Sequence, residues 1–136
     1  AAAGIGAYPV EEGETYPALV SAIDDDGNEL AGIRLPDLTV PVATNLPWNL
    51  RDPESGAPEQ IAPMIGASHF FPPTEAARAA TNDPRPSLEQ RYPTRDAYLD
   101  EVRAAARALV ESRYLLEEDI ETLVTDATTR YDYALR

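Results

Sequence analysis

The chain has 136 residues, of which 43% are hydrophobic and 26% are charged, a composition typical of one soluble globular domain. It contains no cysteine and a single histidine, His69, which excludes disulfides, thiolate nucleophiles and a Cys-ligated or His-only metal site within one chain. The formal net charge of −13 opposes binding to nucleic acid or to an anionic membrane. No apolar run is long enough for a membrane span. We also expect no cofactor.

The distribution of proline predicts the organisation of the chain. Eleven of the 13 prolines lie in residues 36–93 and none lies in 94–136. Because proline lacks a backbone donor, long helices are expected only at the end. We therefore predict an α+β fold in a single segment: short strands over 1–45, proline-rich loops with short helices over 46–93, and a helical hairpin over 94–136. The proline-rich loops are expected to wrap a surface more than to form a core.

The first zone contains three candidate strands. The apolar runs Tyr16–Ile23 and Leu30–Leu35 flank an acidic Asp-Gly sequence, which predicts a β-hairpin. The segment Leu38–Thr44 alternates apolar and other residues and predicts a third strand. Pro36 and Pro41 cannot donate to a ladder, so this strand is expected at an edge.

The acidic turn could also be interpreted as a calcium-binding loop of the EF-hand type. Such a loop needs glycine at its sixth position, a ligating carboxylate at its first and a glutamate at its twelfth. If Gly27 is the sixth residue, Ala22 is the first and Ile33 is the twelfth. Neither residue can bind the ion, so we predict a plain turn and no metal site.

The sequence Trp48-Asn49-Leu50-Arg51 contains the candidate contact residues of the middle zone. Trp48 offers a flat aromatic ring, Asn49 an amide and Arg51 a planar cation, which together could hold a carboxylate or a sugar-like ring. These three residues are candidates for ligand or interface contacts. The alternative, which we favour because an unpaired arginine is not expected in so acidic a chain, is that Trp48 anchors the loop by packing and that Arg51 pairs with one of the many acids.

The segment Gly66–Phe70 resembles the G-x-S-x-G nucleophile elbow, with Phe in place of the last Gly. An elbow needs a strand before the serine and a helix directly after it, whereas prolines interrupt both sides here. Ser68 and His69 are adjacent, and adjacent side chains of an extended segment point to opposite faces. The sequence therefore predicts no catalytic residue in this chain.

Three helix starts follow, at Thr74, Ser87 and Thr94, each with a side chain suited to capping. Thr94 is expected to begin a helix that ends near Ser112, and a second helix is expected from Glu117. These helices form a hairpin whose apolar stripes either dock on a partner or form an internal core. The stripes comprise Leu99, Val102, Ala106, Leu109 and Val110, and then Ile120, Leu123, Val124, Ala127, Tyr131 and Leu135.

Several blocks of the sequence resemble the C-terminal region of a bacterial family of α/β-hydrolase domain-containing proteins. The resemblance is collinear and extends from about Thr15 to the end of the chain. The blocks are Thr15–Val20, Asp26–Pro36, Trp48–Arg51, the stretch from Gly66 through Asp83–Ser87 to Arg91–Pro93, Tyr98-Leu99, and Tyr114–Asp119.

The resemblance implies an ester or related hydrolase for the whole polypeptide, with the catalytic core upstream of this region. The chain begins at Ala1 without Met, which agrees with a processed or excised end. We therefore expect a non-catalytic C-terminal accessory segment that packs on or covers the hydrolase core. Its partner would be that core, or a second copy bound through the C-terminal helices. The alternative is a stand-alone acidic binding or protein-interaction module.

Overall fold

A computed structural model of the chain describes Pro9, Pro17 and residues 19–56, 58–62 and 64–136. These residues form five α-helices, four short strands and two single-turn 3₁₀ helices. In chain order the elements are α1 (Pro36–Thr39), β1 (Ala43–Leu46), β2 (Asn49–Leu50), the 3₁₀ turn Pro53–Ser55, β3 (Ile61–Ala62), β4 (Ala67–Phe70), α2 (Glu75–Thr81), α3 (Leu88–Arg91), α4 (Arg95–Glu111), the 3₁₀ turn Glu117–Asp119 and α5 (Ile120–Ala134).

The strands form two separate antiparallel pairs. β1 pairs with β4, so that Ala43 lies opposite Phe70 and Leu46 lies opposite Ala67. β2 pairs with β3 and forms a small arm of two residues a side. Short strands combined with C-terminal helices confirm the α+β prediction.

The C-terminal helical hairpin also agrees with the sequence analysis. The Thr94 hydroxyl accepts a hydrogen bond from the backbone N–H of Ala97 at 3.1 Å and caps α4. The helix ends at Glu111, one residue before the predicted end. The second helix begins as a 3₁₀ turn at Glu117 and becomes α5 at Ile120. No helix in the described part of the chain is long and apolar enough to cross a bilayer.

The end of α4 is followed by Arg113, a non-glycine residue in the left-handed conformation. Arg113 has a φ of 63°, and its backbone N–H donates to the carbonyl of Val110 at 2.9 Å. The N–H of Tyr114 donates to the carbonyl of Leu109, also at 2.9 Å. This pair of bonds is a Schellman motif, which satisfies carbonyls that the helix end would leave unpaired.

The two short helices of the middle zone start where the capping residues predicted. The Thr74 hydroxyl accepts from the N–H of Ala77 at 3.2 Å. Ser87 and Gln90 form the reciprocal capping box, in which the Ser87 hydroxyl accepts at 3.3 Å and the Gln90 amide oxygen accepts at 3.0 Å. Helix α3 is short because Pro93 follows it, and α2 ends at its C-cap Asn82, which adopts the left-handed conformation with a φ of 52°.

The helices bury their apolar stripes against each other and against the segment that contains α1 and β1. This arrangement confirms the internal-core alternative for most of the stripe, although Leu135 is 49% exposed and lies outside it. The middle zone also contributes to the core, contrary to the expectation that it only wraps a surface. The buried cluster comprises Val40, Val42, Phe71, Leu88, Tyr92, Tyr98, Leu99, Val102, Ala106, Ile120, Val124, Ala127, Tyr131 and Ala134.

The predicted N-terminal hairpin is only partly present. The turn forms as expected, but the ladder consists of one bridge between Ile23 and Glu29. Most of the two flanking runs is therefore not strand, and of the first run Tyr16 and Ala18 lie outside the described residues. The physical reason is that a two-stranded ribbon needs a further strand or a packed face, whereas Ile23 and Leu30 are both exposed.

The predicted strand over Leu38–Thr44 is wrong in its first half. Residues Pro36–Thr39 form α1, and the strand begins only at Ala43. Pro36 occupies the first helical turn, where its fixed φ suits a helix. A backbone N–H at this position would have no hydrogen-bond partner within the helix, so proline costs nothing there. The alternating apolar pattern of Leu38–Thr44 therefore covers the end of a one-turn helix and the start of a strand.

The acidic turn sits directly on β1. Asn28 is completely buried, and its Nδ2 donates to the carbonyl of Ala43 at 3.1 Å while its Oδ1 accepts from the N–H of Asn45 at 2.7 Å. Gly27 has a φ of +81°, and a Cβ built on it would lie 2.8 Å from the Cγ2 atom of Thr44. The turn thus needs glycine for both its conformation and its contact with the strand.

We predict that Gly27→Ala destabilises the fold more than Gly32→Ala. Both glycines have a positive φ, but nothing lies within 4 Å of a Cβ at Gly32. The Gly32→Ala variant should lose about 1 kcal/mol of unfolding free energy from backbone strain alone. Gly27→Ala adds the clash with Thr44 and should lose about 2–4 kcal/mol. Urea unfolding of the two variants measures the difference, and equal losses would contradict the close contact.

Candidate functional site

The three candidate contact residues lie on or beside the arm formed by β2 and β3. Trp48 is half-buried, and Asn49 is exposed with its Oδ1 accepting from the next backbone N–H at 2.9 Å. Arg51 donates its backbone N–H to the carbonyl of Gln60 at 2.9 Å, and its Nη1 lies 3.4 Å from the Gln60 Oε1. Arg51 forms no ion pair with any residue that the structure describes, so the expected acid partner is not found there. The role of the three residues as contacts stays a prediction.

The elbow-like segment is a regular strand. Ser68 and His69 are neighbours in β4, and they lie opposite Asn45 and Thr44 of β1. The Ser68 hydroxyl donates to the Oδ1 of Asn45 at 2.8 Å. Since neighbouring residues of a strand face opposite sides, the His69 imidazole lies on the other face from this hydroxyl. The strand–turn–helix geometry of a nucleophile elbow does not occur around Ser68.

Two carboxylates of the acidic turn, those of Asp24 and Asp26, are paired with arginines. The Oδ1 of Asp24 accepts from the backbone N–H groups of Asp26 and Asn28 at 3.0 and 2.9 Å, and its Oδ2 lies 2.5 Å from the Arg34 Nη2. The carboxylate of Asp26 takes two hydrogen bonds from the guanidinium of Arg91. These contacts hold the turn in place through the carboxylates of Asp24 and Asp26, and the plain turn without a calcium site stays a prediction.

Arg85 joins the segment before α3 to both strands of the β1–β4 pair. Its Nε and Nη2 donate to the carboxylate of Asp83 at 2.9 and 2.6 Å. Its Nη1 donates to the Thr44 hydroxyl at 2.7 Å and to the carbonyl of His69 at 2.9 Å. The guanidinium carbon lies 5.0 Å from the centre of the Phe71 ring. The hydrogen bond from Arg85 lowers the pKa of Asp83 from 3.8 to about 2.

We predict an acid-dependent loss of stability that depends on Asp83. Because its pKa in the folded chain is below the ordinary value, this carboxylate stabilises the fold above about pH 4, and its contribution is lost as the pH falls towards 2. The contribution should be on the order of 1–2 kcal/mol. Thermal unfolding between pH 2 and pH 6 should show a shallower profile for Asp83→Asn. The control Asp100→Asn, at a carboxylate that is 77% exposed, should keep the parent profile.

Several large apolar side chains remain exposed on two parts of the molecule. Such groups mark contact surfaces more often when they cluster. On the arm and just after it they are Leu50, Ile61, Met64 and Ile65, and in the N-terminal part they are Leu19, Val20, Ile23, Leu30, Ile33 and Leu35.

An open groove of about 500 Å³ lies beside the second of these groups. Ile33 and Tyr114 are exposed apolar residues that line the groove, and Ala105, Ala108 and Leu109 of α4 also contribute to it. The α4 residues present small and apolar side chains along one side of the helix. The groove could therefore receive apolar side chains of another protein surface.

The sequence matches a protein-family model over most of its length. The model of the alpha/beta hydrolase domain family matches residues 6–125. The chain belongs to this family. The resemblance drawn from the sequence blocks is thereby confirmed at the level of the family. Neither a curated protein nor a solved structure matches the chain.

We predict that this member of the alpha/beta hydrolase domain family does not hydrolyse esters as the chain of 136 residues. The Ser68 hydroxyl donates to an amide oxygen and the neighbouring imidazole faces away, so neither of these two groups acts as a base that takes its proton. The rate of p-nitrophenyl butyrate hydrolysis should equal that of Ser68→Ala. Turnover that disappears in this variant would contradict the prediction.

Proposed function

We propose that the chain is a non-catalytic C-terminal segment of an α/β-hydrolase and packs on or covers the hydrolase core. The whole 1–136 segment would act as one accessory unit, and the parent polypeptide would hydrolyse an ester or a related bond. Two facts taken together support the proposal. The chain belongs to a hydrolase family. Its elbow-like serine, however, lies in a regular strand and donates a hydrogen bond to the side chain of Asn45. A catalytic serine needs an exposed position and a neighbouring base.

The exposed apolar side chains support a contact surface for such a core. Leu19 is 94% exposed and Met64 is fully exposed, which is unfavourable unless another surface covers them. Trp48, Asn49 and Arg51 lie next to the apolar residues of the arm. They would add an aromatic ring, an amide and a cation to the interface, and aromatic residues and arginine are enriched in interfaces relative to the rest of the surface.

The charge of the chain favours a second candidate function, a stand-alone acidic interaction module. Its net charge of −13 would attract a basic partner, and the same apolar residues would contact it. The reading frame distinguishes the two functions. A frame that continues upstream through a G-x-S-x-G elbow supports the accessory segment, and a start codon just before Ala1 supports the module.

A binding experiment tests the proposed interface directly. We expect the chain to bind the polypeptide encoded upstream of it, and the double variant Val20→Asp with Ile33→Asp to bind at least about tenfold more weakly, because two charges would be buried against an apolar surface. Isothermal titration calorimetry measures the affinity. The control Leu135→Asp changes an equally exposed leucine at the end of α5.

Two results would contradict this interface. If the control weakens binding as much as the double variant, the contact does not depend on the N-terminal apolar residues. If the chain and the upstream polypeptide do not bind, the accessory role is wrong. Far-ultraviolet circular dichroism of each variant shows that the helices are retained.

A further inference from the structure

A pocket of about 110 Å³ lies where α1 meets the helical hairpin. It is separate from the exposed arm and from the groove beside Ile33. Its wall contains the polar residues Asp37, Tyr98, Asp126 and Arg130. The apolar part of the wall comes from α1 and its neighbours and from both long helices, and it consists of Leu35, Pro36, Val42, Val102, Leu123 and Ala127.

Tyr98 is the unusual member of this wall. It is only 2% exposed, and its ring is held between Tyr92 at 4.9 Å and Tyr131 at 5.0 Å between ring centres. The Tyr92 hydroxyl donates to the carbonyl of Pro41 at 2.9 Å. The Tyr98 hydroxyl, in contrast, forms no hydrogen bond with any residue that the structure describes, and it is not one of the fully buried atoms without a partner, so it keeps some contact with solvent.

The Tyr98 hydroxyl is available as a donor inside the pocket. Burial raises its pKa to about 12, so it keeps its proton at neutral pH. The charges that act on it most strongly are Arg130 and Asp37, and both line the same pocket. Since Tyr98 lines this pocket and its hydroxyl has no partner among the described residues, the hydroxyl can donate to a molecule bound there.

Two of the three charged groups of the pocket, Arg130 and Asp37, are already paired with each other. The Nη1 of Arg130 lies 3.0 Å from the Oδ2 of Asp37, and its Nη2 donates to the Oδ1 of Asn45 at 2.8 Å. With Asp126 included, the wall has two carboxylates and one guanidinium. A carboxylate or phosphate would meet net negative charge, and a cation would lose its hydration against apolar side chains. A neutral molecule avoids both penalties.

We propose that this pocket binds a small neutral molecule that has an apolar body and one oxygen atom, which accepts a hydrogen bond from Tyr98. The volume limits its size. A cavity of about 150 Å³ holds one benzene ring, so about 110 Å³ accommodates four or five non-hydrogen atoms. Short-chain alcohols and carbonyl compounds have this combination of size, neutrality and one acceptor oxygen.

The test uses 1-butanol as the probe and the methyl signals of the full chain as the readout. Carbon–proton correlation spectra should show saturable shifts at Val42, Val102 and Leu123, which line the pocket. Butyrate and butylamine have the same apolar body with opposite charges. Both should bind at least about tenfold more weakly than 1-butanol, because each charge must be desolvated.

Two variants separate the pocket from general solvent effects. Tyr98→Phe keeps the ring and removes the donor, so the affinity for 1-butanol should fall about fivefold. Ala127→Leu fills the pocket and should abolish the saturable shifts. Ala104→Leu adds the same atoms at an exposed position of α4 and should bind as the parent chain does.

Three outcomes would overturn the proposal. The first is the absence of saturable shifts at the pocket methyl groups. The second is an unchanged affinity in Tyr98→Phe, which is decisive even where Ala127→Leu does not fold. The third is tighter binding of butyrate or butylamine than of 1-butanol, which would mean that charge determines recognition.

Discussion

The side-chain amide of Asn28 stands in for a third strand at the open edge of β1. β4 occupies the other edge, so the backbone groups of Ala43 and Asn45 would otherwise be left without partners. One amide satisfies both, because its oxygen accepts and its nitrogen donates like a peptide group. The position of β1, and with it the buried Val42 beside the helices, depends on this contact. The acidic turn is thus a structural part of the core.

Arginine pairs connect this turn to the rest of the molecule. Arg91 pairs with Asp26 of the turn while its guanidinium lies 4.2 Å from the centre of the buried Phe71 ring. Arg85 approaches the same ring and binds the hydroxyl of Thr44. A planar guanidinium can stack on an aromatic ring and still donate at its edge, which lysine cannot do. The chain has eleven cations, all arginines, and two of them, Arg85 and Arg91, perform this double role on the Phe71 ring.

The parts of the fold that could be predicted are those that depend on neighbouring residues. The cap at Thr94 is a local contact and was predictable, as was the separation of Ser68 from its neighbouring imidazole. Pro36 was ambiguous because proline suits both an edge strand and a first helical turn. The role of Asn28 and the pocket at Tyr98 depend on segments that are distant in the sequence, and no periodic pattern encodes their meeting.

The end of α4 and the arginine pairs together indicate an order of folding. The Schellman motif at Arg113 turns the chain back within a few residues, so α4 and α5 can meet at a small cost in chain entropy. The pair of Arg91 with Asp26 spans 65 residues, and that of Arg130 with Asp37 spans 93. Contacts of such sequence separation form late. The helical hairpin would therefore assemble first as a template, and the N-terminal turn, together with the β1 strand that it positions, would dock on it last.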